Sequence, residues 1–409
     1  MIRDVSDWMD EFSGRNFIWY VKRLSANDTL ANGSHQAGPY IPKEFLFRVF
    51  SSLNRETVRN PDKYFDLIVD SHANFRKARA IWYNNQFYNG TRNEARLTNL
   101  GGASSPLLDP ESTGALAIFV FLLDTKGEAN ECHVWVCRHE TEEDVVEERI
   151  GVIEPGKWKI WSLDESKMIP RVGPVVHARI SCWLEPKEIP AGWLVKFPSS
   201  MDIITKTISL KPGKEMSSDH RLMKRRECEY EVFRSVEEAV ELPFIKRGFT
   251  NVEEFIAKAQ TILQRRKARS GRSLELHIRE IFIEEGLKEG KDFSHQPESD
   301  LDKKPDFLFP SEKAYKDKSF SKAKLRMLAV KTTCRDRWRQ VINEADRIKI
   351  KHLLTLQEGI SKNQFKEMAK ANIKLVVPAT LIAFYPKVVQ PHLQNLESFI
   401  GDIRLLNID

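Results

Sequence analysis

Hydrophobic runs separated by polar or glycine-containing loops fill the first 140 residues of the chain. The runs are rich in β-branched and aromatic residues, which favour strands over helices. They cover residues 16–24, 64–71, 78–85, 115–123 and 132–138. Short strands at this spacing are typical of a barrel or a sandwich, so the pattern predicts a β-rich N-terminal domain.

The stretch from 153 to 199 departs from this pattern. It shows no helical periodicity, and prolines interrupt it at Pro155, Pro170, Pro174, Pro186, Pro190 and Pro198. Prolines at this density are typical of irregular connections. We therefore predict that one domain ends here and a linker follows.

Helical and strand patterns alternate in the second half. Apolar positions at helical spacing predict helices at about 251–267 and 273–286, the second with Ser273 as its N-cap. Further helices are predicted at about 336–349 and 361–371. Strands are predicted at 305–310, 325–333, 352–357 and 373–378. This alternation predicts an α/β domain with a central sheet.

Length and charge narrow the classes of protein. The 409 residues are enough for two or three domains, and 41% of them are hydrophobic. No apolar run is long enough to span a bilayer, and the N-terminus lacks the apolar stretch of a signal peptide, so we expect a cytoplasmic protein with no membrane partner. The net charge of +6 suits a polyanionic partner without establishing one.

The cysteines raise two questions. There are five of them at irregular spacing: Cys132, Cys137, Cys182, Cys228 and Cys334. This spacing predicts no disulfide framework and a reducing compartment. The segment ECHVWVCRHE also places His133 and His139 near two of them, as a candidate zinc set. In a strand Cys132 faces away from the other three side chains, so cysteines in the core are the favoured interpretation.

Asp306 and Lys331 are the candidate catalytic pair. Lys331 ends the apolar run MLAVK, where a lysine needs an anionic neighbour, and Asp306 begins another apolar run. If the two strands pair, both side chains meet at one edge of the sheet. Phosphodiester hydrolysis needs such a pair, because a carboxylate can bind Mg²⁺ while the lysine stabilises charge on the phosphate.

The commonest nuclease pattern has a second acid two residues before the lysine, but here Ala329 occupies that position. One carboxylate holds a hydrated Mg²⁺ poorly. Glu344, on the helix predicted after Lys331, can supply the missing acid, and Glu275 on an earlier helix can add another. From spacing alone, an exposed lysine in a surface salt bridge is the alternative.

Longer motifs favour the nuclease. The segments KKPDFLFP and LRMLAVKTTCRDRWRQVINEAD, together with SLELH, resemble the core of EcoRII-type (type IIE) restriction endonucleases, within the PD-(D/E)xK nuclease superfamily. That family moves its second acid to the helix. The resemblance implies that Asp306, Lys331 and Glu344 are catalytic, with Mg²⁺ bound by Asp306 and Glu344. It also implies that Glu275 is an accessory acid and that Tyr315 lies near the site.

Arg335, Asp336 and Arg337 lie between the lysine and the glutamate. Arginine can bond O6 and N7 of guanine, and aspartate can accept from N4 of cytosine, so the triplet can recognise a C·G pair. The resemblance implies that it does so in the CC and GG of the target. A charged helix N-terminus is the alternative.

The resemblance extends to two polar segments of the N-terminal half, at 22–42 and 91–96, which match the DNA-binding loops of the EcoRII effector domain. It implies that effector DNA contacts Lys22, His35, Tyr40, Arg92, Glu94 and Arg96. Gly90 and Ala95 replace basic residues of the family, which predicts weaker effector binding. Two more basic clusters, at 221–226 and 265–272, are either solvated faces or phosphate contacts.

The expected organisation follows from the resemblance. Residues 1–173 form an N-terminal β-rich pseudobarrel that binds effector DNA, 174–190 a linker, and 191–409 an α/β restriction-endonuclease-like core with a central mixed sheet. The family cleaves double-stranded CC(A/T)GG with Mg²⁺ as a homodimer, and its N-terminal domain causes autoinhibition when it is empty. The source is then prokaryotic. A sequence-specific DNA-binding protein without catalysis is the alternative, and a structure-specific repair nuclease is a weaker one.

Overall fold

The structure is a computed structural model that describes residues 4–33, 38–162, 182–300 and 303–406. It divides the chain into two compact units. Unit 1 consists of Met1–Gly173, Gln357–Glu367 and Ala383–Pro391. Unit 2 consists of Pro174–Leu356, Met368–Ile382 and His392–Asp409. Two short segments of the C-terminal half therefore belong to unit 1.

Unit 1 is built on a seven-stranded sheet with the order β4-β3-β2-β6-β5-β1-β7. The strands are β1 Phe17–Arg23, β2 Asp62–Val69, β3 Asn74–Tyr83, β4 Glu94–Thr98, β5 Leu116–Leu123, β6 Ala129–Val136 and β7 Trp158–Trp161. Neighbours are antiparallel except β2 and β6, which are parallel. The five strands predicted from the sequence are confirmed. Strands β4 and β7 were not predicted, because both are short, at five and four residues.

Alternation along β1 explains how this sheet buries both of its faces. Tyr20 points into one apolar cluster and Trp19 into the other, and both side chains are fully buried. Successive side chains of a strand face opposite sides, so a strand apolar at every position needs a cover on each face. The helix α2 (Lys43–Val49) packs in the first cluster, and α1 (Val5–Glu11) and α3 (Glu140–Ile150) pack in the second.

Unit 2 is built on a five-stranded mixed sheet with the order β12-β11-β10-β9-β8. Its strands are β8 Ser294–His295, β9 Phe307–Phe309, β10 Arg326–Lys331, β11 Lys351–Thr355 and β12 Ile373–Val376. Strands β10, β11 and β12 are parallel, whereas β9 runs antiparallel to β10 and to β8. The predicted α/β domain with a mixed sheet is confirmed.

The remaining helices lie in the second half of the chain. They are α4 Ala191–Val195, α5 Ser200–Leu210, α6 Ser218–Arg247, α7 Val252–Glu284, α8 Glu312–Lys316, α9 Trp338–Val341, α10 Lys362–Lys370, α11 Ala379–Ile382 and α12 Leu396–Leu406. No described helix is long and apolar enough to cross a membrane.

The long helices α6 and α7 correct two predictions. The helices expected at 251–267 and 273–286 form one continuous helix, and Ser273 is not an N-cap, because its hydroxyl donates to Glu229 of α6 at 2.9 Å. Several members of the two basic clusters, at 221–226 and 265–272, are ion-paired within the protein. Their arginines pair with acids across the two helices, including Arg266 with Glu237 at 2.6 Å and Arg225 with Glu284 at 2.9 Å.

The helix predicted at 336–349 is also wrong. Helix α9 ends at Val341, and Glu344 lies in the turn that follows it. Ala345 takes a left-handed φ of 49°, which a helix cannot accommodate. The N-terminus of α9 also lacks a stabilising cap, because the side chain of its N-cap residue Arg337 makes no capping hydrogen bond to the first turn.

The cysteines give a further correction. Cys182 and Cys228 form a disulfide, although the sequence predicted none. Their separation of 46 residues carries no signal that a spacing argument can detect. Cys132 and Cys137 are buried in the sheet of unit 1, as the core interpretation predicted, and His133 bonds Asp70 instead. Residues 174–181 of the predicted linker at 174–190 lie outside the described residues, whereas Leu184 and Ile189 are buried in one apolar cluster with Cys182 and Cys228.

Candidate active site and DNA-binding residues

Strand pairing brings Asp306 and Lys331 together. Phe307 of β9 lies opposite Leu328 of β10, so the residue before β9 reaches the last residues of β10. Oδ2 of Asp306 accepts a hydrogen bond from the backbone N of Val330 at 2.7 Å and lies 3.5 Å from Nζ of Lys331. Both side chains are mostly buried. The pair expected at one edge of the sheet is therefore present, while Ala329 is fully buried two residues earlier.

The pKa values of the carboxyl groups at this edge of the sheet indicate that they have too little positive charge beside them. Burial raises the pKa of Asp306, with Glu275 adding to the shift, and Lys331 offsets it only in part. The pKa of Glu344 is raised to about 7, because burial and the charge of Asp306 together outweigh the opposing charge of Lys331. Raised values on two neighbouring carboxyls mean that their charges lack compensation.

Glu344 carries a second sign of the same deficit. Its Oε2 atom is buried and has no hydrogen-bond partner among the described residues. A buried carboxylate oxygen without a partner costs free energy unless a cation or a bound molecule satisfies it. Mg²⁺ prefers carboxylate oxygens and water as ligands. Asp306 and Glu344 thus fit a hydrated divalent cation.

Glu275, the predicted accessory acid, comes from α7 and is 7% exposed. Its Oε1 atom lies 2.5 Å from Nε2 of His295, whose ring stacks on Phe307 at 5.2 Å between centroids. His295 was not predicted, because a histidine in a two-residue strand gives no periodic signal.

Tyr315 does not contact the carboxylates of Asp306 or Glu344. It lies on α8, and its hydroxyl donates to Asp300 at 2.7 Å. Burial raises the pKa of this hydroxyl above its usual value, and the neighbouring Asp300 raises it further, against a hydrogen bond from the backbone N of Arg347. The hydroxyl therefore stays protonated. Asp300 was not among the site residues predicted from the sequence.

The triplet Arg335, Asp336 and Arg337 lies in the turn between β10 and α9, partly exposed. The Asp336 carboxylate lies 3.7 Å from the guanidinium of Arg339, one helical turn further on. The chain thus places the three side chains directly after the Lys331 strand. A turn that leaves an active-site strand can reach a groove of bound DNA more readily than a buried helix can.

In unit 1, three of the predicted effector residues form one cluster. Glu94 accepts from Arg92 at 2.5 Å and from Arg96 at 3.1 Å, and both arginines lower the pKa of Glu94 against the opposing effect of burial. Tyr40 pairs with Arg96 through a β-bridge and is 45% exposed. Lys22 is instead buried beside Asp28 at 2.6 Å. His35 lies outside the described residues.

Three of the predicted effector contacts, Lys22, Tyr40 and Arg96, line one cavity of about 300 Å³, together with Trp158, Glu358, Phe384 and others. Glu358 belongs to the Gln357–Glu367 segment of unit 1. Its carbonyl accepts from the backbone N of Ala26 at 2.8 Å. Burial raises the pKa of Glu358, with Lys22 opposing the shift and Asp28 adding to it. An acidic side chain therefore lines the same cavity as three of the predicted DNA contacts.

Solved structures give weak similarities. Metal-depleted Ecl18kI in complex with uncleaved, modified DNA matches at 17% identity and a TM-score of 0.43, over 55% of this chain and 87% of that one. The B3 domain of UbaLAI restriction endonuclease with cognate DNA matches at 16% identity and a TM-score of 0.26, over 38% of this chain and 97% of that one.

Sequence comparisons are much stronger. The family model described as EcoRII C terminal matches residues 233–400, and the one described as restriction endonuclease EcoRII, N-terminal, matches residues 13–165. The type II restriction enzyme EcoRII of Escherichia coli is 42% identical over 408 residues, which covers 98% of both chains. Two family models and this relative together span nearly the whole chain. The chain therefore belongs to the EcoRII family of type II restriction endonucleases.

Proposed function

We propose that this enzyme hydrolyses one phosphodiester in each strand of a CC(A/T)GG duplex, with Mg²⁺ as its cofactor, and leaves 5′-phosphates. The observation that carries the proposal is the Asp306–Lys331 pair beside the buried, unpartnered oxygen of Glu344. The base sequence of the target comes from the family that the chain resembles.

Asp306 and Glu344 would hold the Mg²⁺. When bound, the ion polarises the scissile phosphate and lowers the pKa of the attacking water. The ammonium group of Lys331 donates a hydrogen bond to a phosphate oxygen and stabilises the charge that develops there. Glu275, held by His295, adds negative charge on the α7 side and orients water at the edge of the site.

Target recognition is proposed for the Arg335–Arg337 turn. Its arginines present paired donors to O6 and N7 of guanine, and Asp336 accepts from N4 of cytosine. The target is a palindrome, so a homodimer with one catalytic site for each strand fits it. The position of the triplet directly after β10 supports this role, because recognition and cleavage then share one short segment.

We assign binding of a second copy of the target site, the effector DNA, to residues 1–173. A linker at 174–190 and the catalytic domain at 191–409 follow. Effector DNA would contact Lys22, His35, Tyr40, Arg92, Glu94 and Arg96, on a sheet that we interpret as a pseudobarrel. In the absence of effector, this domain would block the catalytic cleft. The half-buried Glu358 lines the same unit 1 cavity as Lys22, Tyr40 and Arg96, so its charge would oppose that of DNA phosphates there.

The central test is the replacement Asp306→Asn, which removes one negative charge with little change in shape. We expect Mg²⁺-dependent cleavage of plasmid DNA to fall by about 100-fold or more while binding of a CC(A/T)GG duplex persists. Sequencing the ends of digested plasmid then identifies the target. Wild-type protein that binds the duplex but never cuts it would favour a non-catalytic DNA-binding protein. Cleavage that ignores sequence but responds to branches would favour a repair nuclease.

Autoinhibition has its own test. A fragment without residues 1–173, which keeps the Cys182–Cys228 bridge, should cleave DNA with a single site faster than the full chain does, because nothing then blocks the catalytic cleft. The control is circular dichroism, which shows whether the fragment is folded. A folded fragment with equal or lower activity would contradict the proposed autoinhibition and leave the catalytic assignment untouched.

A further inference from the structure

The backbone around Glu344 has no regular secondary structure to hold it. Helix α9 ends at Val341, and the next strand, β11, begins at Lys351. Ala345 adopts a φ of 49°, in the left-handed region that a residue with a Cβ enters only at a cost. A turn of this kind persists only where surrounding groups fix it. The groups that fix it therefore also fix the orientation of Glu344.

Two side chains hold this turn through its backbone. Oδ2 of Asp300 accepts from the backbone N of Asp346 at 3.0 Å. The hydroxyl of Tyr315 accepts from the backbone N of Arg347 at 3.2 Å and donates to the same Oδ2 of Asp300 at 2.7 Å. Three hydrogen bonds thus join one carboxylate, one phenol and the two residues that lie second and third after Glu344.

Further contacts hold the same turn from outside. Nζ of Lys303 lies 2.7 Å from the carboxylate of Asp346. The guanidinium of Arg347 donates to the carbonyl of Tyr315, to that of Asp317 at 2.8 Å and to that of Phe320 at 3.1 Å. The segment around α8 and the turn after Glu344 are therefore held as one piece.

We propose that Asp300 and Tyr315 are positioning residues that hold the Glu344 carboxylate in place for the divalent cation. This inference rests on the proposed function. It gives the tyrosine a role different from a direct chemical one, because its hydroxyl is occupied both as donor and as acceptor and makes no contact with Asp306 or Glu344. Misplacement of a reacting group by about 1 Å can lower a rate on the order of 100-fold, so a loosened turn has a large effect.

The test measures metal binding directly. Mn²⁺ is titrated into the full chain without DNA, and the free ion is measured by its electron paramagnetic resonance signal. Tyr315→Phe keeps the buried ring and removes both hydrogen bonds of the hydroxyl, and Asp300→Ala removes the shared acceptor. We expect each to weaken Mn²⁺ binding by about 10-fold, the loss expected when one ligand is held less well. In a Glu344→Gln background, neither change should weaken it further.

A second readout follows the turn itself. In Tyr315→Phe, amide hydrogen exchange should rise in peptides that contain Asp346 and Arg347. The matched control is Tyr385→Phe, which removes another buried hydroxyl, the one that donates to the carbonyl of Gln357 at 2.9 Å. The control should leave Mn²⁺ binding and exchange of the turn unchanged.

The outcomes distinguish the positioning role of Asp300 and Tyr315 from the metal site on which it rests. If Glu344→Gln weakens Mn²⁺ binding but Tyr315→Phe and Asp300→Ala do not, the positioning role is wrong. The positioning role is also wrong if the two variants weaken Mn²⁺ binding in the Glu344→Gln background as much as they do in the wild type. If Glu344→Gln itself leaves Mn²⁺ binding unchanged, the proposed metal site is wrong instead.

Discussion

Nζ of Lys331 lies 3.5 Å from Oδ2 of Asp306, farther than the backbone N of Val330, which bonds the same oxygen at 2.7 Å. The short bond, to a strand backbone, fixes the carboxylate, since hydrogen bonds weaken with distance. The lysine contributes charge and little restraint. Its ammonium group can therefore turn towards a phosphate without releasing Asp306. This relationship fits a lysine that acts on the substrate rather than on the protein.

The ionised carboxylate of Glu344 should lower the free energy of unfolding of the metal-free protein. Its pKa of about 7 lies above that of an unfolded glutamate, so the folded state holds the extra proton between roughly pH 4.5 and 7. Stability is then highest below that window and falls as pH rises through about 7. In EDTA at pH 8, Glu344→Gln should raise the free energy of unfolding by about 1–3 kcal/mol and abolish cleavage.

Urea unfolding of both proteins at pH 8 and pH 5 measures this effect. The gain should shrink at pH 5, where the wild-type carboxyl is already mostly protonated. Glu397→Gln, at an exposed position of α12, is the control and should change stability little at either pH. A variant that is less stable than wild type at pH 8 would mean that Glu344 is already compensated by charges of the protein.

The sequence was sufficient for Asp306 and Lys331. Each lies at the end of an apolar run, and β9 and β10 pair directly, so a local pattern determines their meeting. It was not sufficient for the conformation at Glu344. That turn depends on Asp300 and Tyr315, which are distant in sequence and act through backbone atoms that no periodicity reveals.

The helices show a similar division. The apolar spacing of α7 indicated a helix, but the Gly271–Ser273 region suggested a break between two helices. Buried ion pairs with α6 keep that region helical, for example Arg269 with Glu229 at 2.9 Å. Tertiary contacts thus override the local preference of glycine and serine. The arginines that looked like a DNA-binding surface are used in the same contacts.

The disulfide is directly testable. Alkylation of denatured, non-reduced protein should label Cys132, Cys137 and Cys334 but not Cys182 or Cys228. In the chain-entropy account, a bridge that closes a loop of 46 residues stabilises the fold by about 4 kcal/mol. Cys228→Ser should therefore lower the thermal midpoint and make it insensitive to added reductant, whereas Cys334→Ser keeps the bridge, so reductant should lower its midpoint as it does that of the wild type. Labelling of all five cysteines without reduction would show that the bridge does not form.

Glu358 should weaken DNA binding by unit 1. Its half-buried carboxyl shares a cavity with Lys22 and Arg96, which are predicted DNA contacts, so its charge opposes that of an incoming phosphate. In an Asp306→Asn background, Glu358→Gln should tighten binding of a CC(A/T)GG duplex by about 5- to 10-fold, equivalent to roughly 1 kcal/mol. Fluorescence anisotropy at fixed salt measures it. Glu56→Gln, an exposed acid that does not line the cavity, should have little effect, and equal effects of both changes would mean that only net charge matters.

His352 should make unit 2 sensitive to acid. It lies in β11 at 5% exposure with its ring 5.1 Å from Phe399, and its Nδ1 atom has no partner among the described residues. Its pKa is lowered to about 4, because burial and the charges of Lys374 and Arg326 together outweigh the opposing effect of Asp402. An unfolded histidine takes up its proton near pH 6.5, so the stability that neutral His352 allows is present above that pH and is lost as pH falls towards 4.

His352→Leu removes this titration and keeps an apolar side chain in the same space. Between pH 6.5 and 4, the free energy of unfolding of the wild type should fall more steeply than that of the variant, by about 1.4 kcal/mol per pH unit. Urea titrations at half-unit intervals give the two slopes, and carboxyl titrations common to both proteins cancel in the difference. His392→Leu, at an exposed histidine, should leave the slope of the wild type unchanged. Parallel slopes for His352→Leu and the wild type would mean that His352 is protonated in the folded protein as readily as in the unfolded one.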